Sequence, residues 1–212
     1  MKPVILLGSG GHARVLLDML RRLNVKVLGI ADPHRPIGSD YLGARILGDD
    51  AAILSYVADQ IELVNGIGSL PRDVGLRSAL FRQFRQQGFR FRTLIDPKAF
   101  TAADVELAEG VQAMVGTIIQ AGAKIAENSI VNSGAIVEHD CSIGRHVHIA
   151  PGVVLSGGVE VGDNVHIGTG AMVIQGIRIG EGSVIGAGSI VTSDVACRQI
   201  VYPARSHRRD LE

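Results

Sequence analysis

Four of the seven histidines, His139, His146, His148 and His166, fall in one stretch of this 212-residue chain. His139 stands between Glu138 and Asp140 and lies 18 residues before Gly157, in the run Ser156-Gly157-Gly158. A histidine facing backbone that carries no side chain suits acyl transfer. The imidazole takes a proton from the attacking nucleophile while a backbone N–H stabilises the oxyanion. A carboxylate on the other ring nitrogen would fix the tautomer and raise basicity, and Glu138 and Asp140 are both adjacent. A metal site built from His146, His148 and His166 is the competing chemistry. It is disfavoured because no matching cysteine or second carboxylate accompanies positions 146 and 148. The plainest alternative is that these histidines are solvated, or packed against another subunit.

The interval of 18 has a structural meaning. From Ile95 to Val191 an aliphatic residue recurs at every sixth position, as in Ile119, Ile125, Val131, Val137, Ile143 and Ile149, with Thr101 and Ala113 the only exceptions to Ile, Leu or Val. Helices repeat at 3.6 residues and strands at 2, whereas a fixed hexapeptide period marks a parallel β-helix. Three hexapeptides make one triangular coil, so residues 18 apart stack on the same side at about 4.7–4.9 Å. His166 is then expected above His148, and Gly157 above His139. A second inward position, four residues after the first, holds small or β-branched residues such as Val147, Val153, Val159 and Val165. The register never slips, which predicts a prism of roughly 25–30 Å without inserted loops. Gly144, Gly162, Gly168, Gly180 and Gly186 directly follow the aliphatic residue and are expected where the chain bends sharply.

Before the prism, residues 1–92 alternate strand and helix signals, which implies a parallel sheet. The apolar run Pro3 to Leu7 leads into Gly8-Ser9-Gly10-Gly11, and a helix is predicted over His12 to Leu23 with Val15, Leu16, Met19, Leu20 and Leu23 inward. A strand over Val25 to Ile30, a helix over Ala51 to Ala58, a strand over Ile61 to Ile67 and a helix over Val74 to Gln87 follow. A glycine turn between a strand and a helix is where phosphates meet helix N-terminal amides. Ala13 occupies the third glycine position of the dinucleotide fingerprint, and Asp32 lies where an acid bonds ribose hydroxyls. A nicotinamide cofactor stays open on these residues, but the unit is short for a six-stranded dinucleotide domain and a mononucleotide fits better. Asn65-Gly66-Ile67-Gly68 could add backbone to the same crevice, or simply turn the chain.

Composition narrows the remaining classes. Basic and acidic residues balance at 21 each, which argues against a nucleic-acid partner. Two cysteines, Cys141 and Cys197, form neither a disulfide framework nor a metal spacing. The N-terminal apolar run is interrupted by glycines, His12 and Arg14, so it reads as a buried strand rather than a signal peptide or membrane span. A cytoplasmic protein that inserts in no membrane and needs no metal is expected. The expected organisation is an α/β Rossmann-like domain over 1–92, a β-helix over 93–195 and a C-terminal tail over 196–212 carrying Arg198, Arg205, His207, Arg208 and Arg209.

The GSGGHARV opening, the IADP strand end, NGIGS, the loop-free hexapeptides, SGAIVEHDCSIGRHVHIAPG and the closing YPAR together resemble the sialic-acid O-acetyltransferase type of sugar O-acyltransferases. Within that family the chain is most similar to bacterial N-acetyltransferases of nucleotide-linked 4-amino sugars, of the bacillosamine type. The resemblance implies a left-handed β-helix, a homotrimer and acetyl-coenzyme A lying between neighbouring prisms. It also implies that His139 is the catalytic base, that Asp140 orients it and that the Gly157 amide serves the oxyanion. His148, Thr169 and Ala187 would line the acetyl-coenzyme A channel, and Asn132 would hold the sugar. Gly10, Gly11, His12 and Asp32 would hold the nucleotide sugar. Pro33-His34-Arg35 departs from the acidic-then-basic pair of uridine-binding relatives, which leaves the base open. The expected reaction is N-acetylation for surface glycan synthesis. O-acetylation of a sugar hydroxyl, as on sialic acid, and a non-catalytic nucleotide-sugar-binding trimeric scaffold are the alternatives.

Overall fold

The computed structural model describes residues 1–69 and 75–204; the expected roles of Val74, Arg205, His207, Arg208 and Arg209 fall outside them. The chain starts with β1 (Val4–Leu7), α1 (Gly11–Arg22), β2 (Val27–Ala31), β3 (Asp40–Tyr41), β4 (Ala44–Gly48), β5 (Glu62–Asn65) and α2 (Leu76–Gln86). The strands form one sheet in the order β3-β4-β2-β1-β5, parallel except for β3 against β4. Helix α1 buries Ala13, Leu16, Leu17, Met19 and Leu20. The stripe runs i, i+3, i+4, i+7 from Ala13, so Leu17 takes the inward place expected of Val15, which faces solvent.

Two further differences have local causes. Ala51 to Ala58 is not an α-helix but a 3₁₀ turn over Asp50–Ser55, with Asp49 capping it by accepting from the Ala51 N–H at 3.0 Å. Only Ile53 of that turn is buried, too little apolar surface to hold a longer helix. The β3–β4 hairpin was not anticipated because its turn is Leu42-Gly43, both at positive φ (54° and 78°). Such turns usually announce themselves by Asn-Gly or Asp-Gly.

From Leu94 onward the chain winds as a left-handed parallel β-helix of two-residue strands. Up to Val191 each rung pairs with residues 18 away, as in Ile118 with Ile136 and Ile136 with Val154. The aliphatic ladder and the small second ladder fill one continuous core. Burying a Val, Leu or Ile contributes about 1.5–3 kcal/mol, and the ladder repeats that gain in each coil. The period ends after Val191, yet the stack does not: Ile200–Val201 pairs with Val184–Ile185, 16 residues away instead of 18.

The sharp bends fall elsewhere than expected. From Leu107 to Ile185 the left-handed backbone conformation recurs three residues after each member of the ladder, at Gly116, Gly122, Gly134, Gly152 and Gly158 among others, and at Asn128, Asp140, His146 and Asn164. Gly144, Gly162, Gly168, Gly180 and Gly186 have no such φ. They are glycines because the next coil leaves no room: a Cβ on Gly144 would lie 2.7 Å from the Asp163 nitrogen, and one on Gly168 2.6 Å from that of Ala187.

The three outer faces differ in chemistry. One packs against the N-terminal domain, where Leu94, Met114 and Ile130 join the cluster of Leu16, Leu20 and Val64. A second presents Glu106, Lys124, Ser142, Glu160 and Arg178, with Lys124–Glu106 and Arg178–Glu160 ion pairs along it. The third presents Phe100, Ile118, Ile136, Val154, Met172 and Ile190, of which Phe100, Met172 and Ile190 are exposed.

Candidate active site

Two adjacent corners of the prism hold the predicted residues. The first follows the apolar face. Its turns place His139 and Asp140 in one coil and Ser156-Gly157-Gly158 in the next, with the Gly158 N–H donating to the His139 carbonyl at 2.8 Å. The His139 Nδ1 lies 2.9 Å from the Asp140 carboxylate. That contact assigns the proton to Nδ1 and leaves Nε2 with its lone pair. The ring lies where a Gly157 side chain would be: a Cβ there would approach the His139 Cε1 to 2.5 Å. No hydrogen bond engages the Gly157 N–H among the described residues. His139 is half-exposed. Asp140 holds φ of +59° and its carboxylate lies over Gly122, one coil below. Cys141 points inward, and burial pushes its thiol pKa up.

The second corner, at the other edge of the apolar face, carries Asn132, Thr169 and Ala187. Thr169 and Ala187 stack in the two upper coils, both exposed, with the Gly188 N–H donating to the Thr169 carbonyl at 2.8 Å. Asn132 opens into a cavity of about 590 Å³ between prism and N-terminal domain, which Gly10, Gly11, His12, Gly68, Met114 and His148 also line. His139 is not among its lining residues.

The histidines of this cavity are fixed struts. His148 sits 2.9 Å from the Ser69 carbonyl through Nδ1 and 3.2 Å from the Asn132 amide nitrogen through Nε2. These partners make Nδ1 the donor and Nε2 the acceptor, so both ring nitrogens are spent within the chain. Burial, reinforced by His166 and the Arg77 charge, lowers the His148 pKa to about 4. His166 stacks edge-on above it at 4.9 Å between centroids, as the 18-residue interval required. His12 donates from Nε2 to the Gln112 side-chain Oε1 at 2.7 Å, and burial with the nearby Arg77 charge brings its pKa to about 3. Both rings are therefore neutral at pH 7. His146 lies apart, bonded to Asn128 at 2.9 Å and edge-on to Phe81, so the three histidines of the competing metal reading do not converge.

Behind the cavity, Arg77 is buried and donates to the carbonyls of Asn65, Ile67 and Asn128. Burial lowers its pKa to about 9, which leaves it charged at pH 7. Gln112 bridges His12 to the Asn65 carbonyl. Arg77 and Gln112 thus hold the Asn65-Gly66-Ile67-Gly68 segment, and neither was singled out from sequence. The 18-residue interval, used as a ruler, reaches Gln112, which stands 18 residues before Ile130 on the domain face; nothing local marks Arg77.

A second cavity, of about 510 Å³, adjoins the first through Gly10, Ile67 and Leu76 and contains Ser9, Asp32, His34, Arg35 and Asp50. Gly8 makes the turn at φ +79°. Gly10 and Gly11 have open space where a side chain would sit, so internal packing does not require them to be glycine. Ala13 approaches Gly66, whose Cβ would lie 3.0 Å from the Ala13 methyl, so α1 and β5 meet closely there. Asp32 is buried and accepts from the Ser9 N–H at 2.9 Å, the Ser9 hydroxyl at 2.5 Å and the His34 N–H at 2.8 Å. Burial opposes its ionisation, but these bonds prevail and hold its pKa below the usual carboxylate range. Three of its roughly four acceptor positions are thereby occupied in tying the glycine turn to the 33–36 loop. Arg35 lies 4.4 Å over the Tyr41 ring and donates to the Ser9 hydroxyl.

Residues 3–83 match the PglD N-terminal domain family, and residues 122–157 and 158–193 match the bacterial transferase hexapeptide family of six repeats. PerB of Caulobacter crescentus, solved with CoA and GDP-perosamine, is 36% identical over 94% of this chain and 93% of its own, with a TM-score of 0.86. The chain belongs to the hexapeptide-repeat sugar acyltransferases. The acetyltransferase domain of PglB from Neisseria gonorrhoeae, solved with acetyl-coenzyme A, is 28% identical over 96% of this chain and 98% of its own, with a TM-score of 0.86. WeeI from Acinetobacter baumannii, 21% identical over 95% of this chain and 97% of its own, shares the fold at a TM-score of 0.78. A search of curated proteins finds no match. No described helix of this acyltransferase is long and apolar enough to cross a membrane.

Proposed function

We propose that this acyltransferase moves the acetyl group of acetyl-coenzyme A onto the amine of a nucleotide-linked 4-amino sugar, with His139 as general base. The observation that carries this reading is the His139 Nε2 held against Gly157 by the Asp140 carboxylate. The amine attacks the thioester carbonyl carbon and forms the C–N bond. His139 Nε2 accepts the amine proton as the carbonyl oxygen gains charge, and the Gly157 N–H donates to that oxygen. The C–S bond then breaks, and the coenzyme A thiolate takes the proton back from the imidazolium. An oxyanion donor of this kind is worth about 10²–10³ in rate. Relatives solved with CoA and GDP-perosamine or with acetyl-coenzyme A support both substrates. The nucleotide sugar would place its phosphates at Gly10 and Gly11, on the N-terminal amides of α1, and its sugar between His12 and Asn132.

The apolar face supports a homotrimer. Exposed Phe100, Met172 and Ile190 on one side of a prism are the surface a second copy would cover. His139 lies at one edge of that face and Asn132, Thr169 and Ala187 at the other. Packing copies around a three-fold axis parallel to the prisms brings one chain's His139 corner towards its neighbour's Asn132 corner, completing a site that neither chain holds alone. Acetyl-coenzyme A would lie in that seam, against Thr169 and Ala187.

The test is thiol release from acetyl-coenzyme A with UDP-, GDP- and dTDP-linked 4-amino sugars, alongside light scattering. Turnover of one amine and a three-chain mass are expected. Turnover of free sialic acid with no amine accepted would replace the reading with O-acetylation, and no turnover would leave a binding scaffold.

A further inference from the structure

The second cavity carries a carboxylate that its neighbours leave unused. Asp32 is occupied by Ser9 and His34, and Asp49 by the Ala51 N–H. Asp50 lies on the cavity wall and makes no hydrogen bond or ion pair among the described residues. Burial, with Asp49 and Asp32 nearby, raises its pKa. Its carboxylate is partly open to the cavity and free to accept from a ligand that enters there.

The sheet order says which part of a nucleotide would reach it. The glycine turn follows β1, Asp32 follows β2 and Asp50 follows β4, and these strands lie in the order β4-β2-β1. Strands are about 4.7–4.9 Å apart, so Asp50 stands roughly 10 Å from the phosphate turn, two strands along. A nucleotide with its diphosphate on the α1 amides spans its ribose over the end of β2 and sets its base at the end of β4. The surroundings there suit a flat ring: Pro33, Pro36, Leu76 and Leu80 share the cavity with Asp50.

Building on the nucleotide-sugar reading, we propose that Asp50 selects the base and that the base is guanine. Its two carboxylate oxygens would accept the adjacent N1–H and N2–H donors of guanine's Watson–Crick edge, a charge-assisted pair of bonds. Guanine alone among the common bases offers two neighbouring donors. Uracil and thymine offer one N–H flanked by carbonyl oxygens, which a carboxylate repels. Adenine and cytosine place a bare ring nitrogen beside their amino group.

Calorimetric titration of the full chain with GDP, UDP and xanthosine diphosphate tests this. The unaltered protein should bind GDP at least tenfold tighter than UDP. Asp50→Asn should lose at least tenfold for GDP and gain at least tenfold for xanthosine diphosphate, because the new amide donates to the xanthine C2 carbonyl. Asp50→Ala should lose GDP without gaining xanthosine diphosphate, and UDP binding should not weaken in either variant. A preference for UDP, or parallel changes for all three ligands in Asp50→Asn, overturns the assignment while leaving the nucleotide-sugar function standing. Failure to bind any nucleoside diphosphate removes that function and the assignment together.

Discussion

Histidines stand both at the corner that follows the apolar face and in the cavity beside the other corner, yet only the first place offers a ring nitrogen to a reaction. His139 spends Nδ1 on a carboxylate and keeps Nε2 open against bare backbone. His148 spends Nδ1 on the Ser69 carbonyl and Nε2 on Asn132, and burial holds it neutral. The difference lies in the vacant lone pair, since both rings are well positioned. A histidine is a base only where its surroundings leave one nitrogen unengaged and let the charged form exist.

The largest test of that contrast is His139→Ala, which should lower kcat by roughly 10²–10⁴-fold while changing nucleotide-sugar affinity little. Near-full activity in steady-state assays would show that proton removal happens elsewhere. Gly157→Ala comes next. Its new methyl meets the His139 ring, and displacing a reacting group by about 1 Å can cost roughly 10²-fold. Gly157 lies outside the left-handed region, so thermal melting should change little while kcat falls.

In the cavity the expected effects move from rate to binding and stability. His148→Ala leaves the Ser69 carbonyl and the Asn132 amide without their partner, at about 1–3 kcal/mol for each group left buried. KM for the nucleotide sugar should rise, with kcat changing less than tenfold. A kcat loss matching that of His139→Ala would erase the distinction between the two histidines.

The last test is a pH trend, read on stability instead of on rate. His12, His146 and His148 have folded pKa values of about 3, 4 and 4 against 6.5 unfolded. Below pH 6.5 the unfolded chain binds protons that the folded chain refuses, so stability rises with pH across this window. It is fully present above 6.5 and is lost progressively as pH falls towards 4. Calorimetric Tm should fall between pH 7 and 4.5, and His148→Ala should flatten the slope.

How far the sequence reveals these features depends on how rigidly position maps onto space. In the prism the backbone allows one register, so the stacking of His166 on His148 and of Gly157 on His139 follows from counting. The same counting misassigned Gly144 and its equivalents, because a period locates a constraint without saying whether it is φ or contact. In the N-terminal domain nothing plays the role of the ruler. Leu42-Gly43 hid a hairpin, Asp32 is absorbed by Ser9 and His34, and Arg77 acts through three carbonyls that come together only in the fold. Those residues are joined by tertiary hydrogen bonds, which no local pattern records.

Asp140 occupies a turn position that most coils give to glycine, at φ +59°. For a residue with a side chain that conformation costs on the order of 1–2 kcal/mol, less for aspartate than for most. On the proposed mechanism, the protein carries this strain to keep a carboxylate beside His139. Selection of variants for heat resistance alone would then favour glycine at this position. Such a lineage would gain melting temperature while losing turnover, and Asp140 marks where a thermostability screen and an activity screen should diverge.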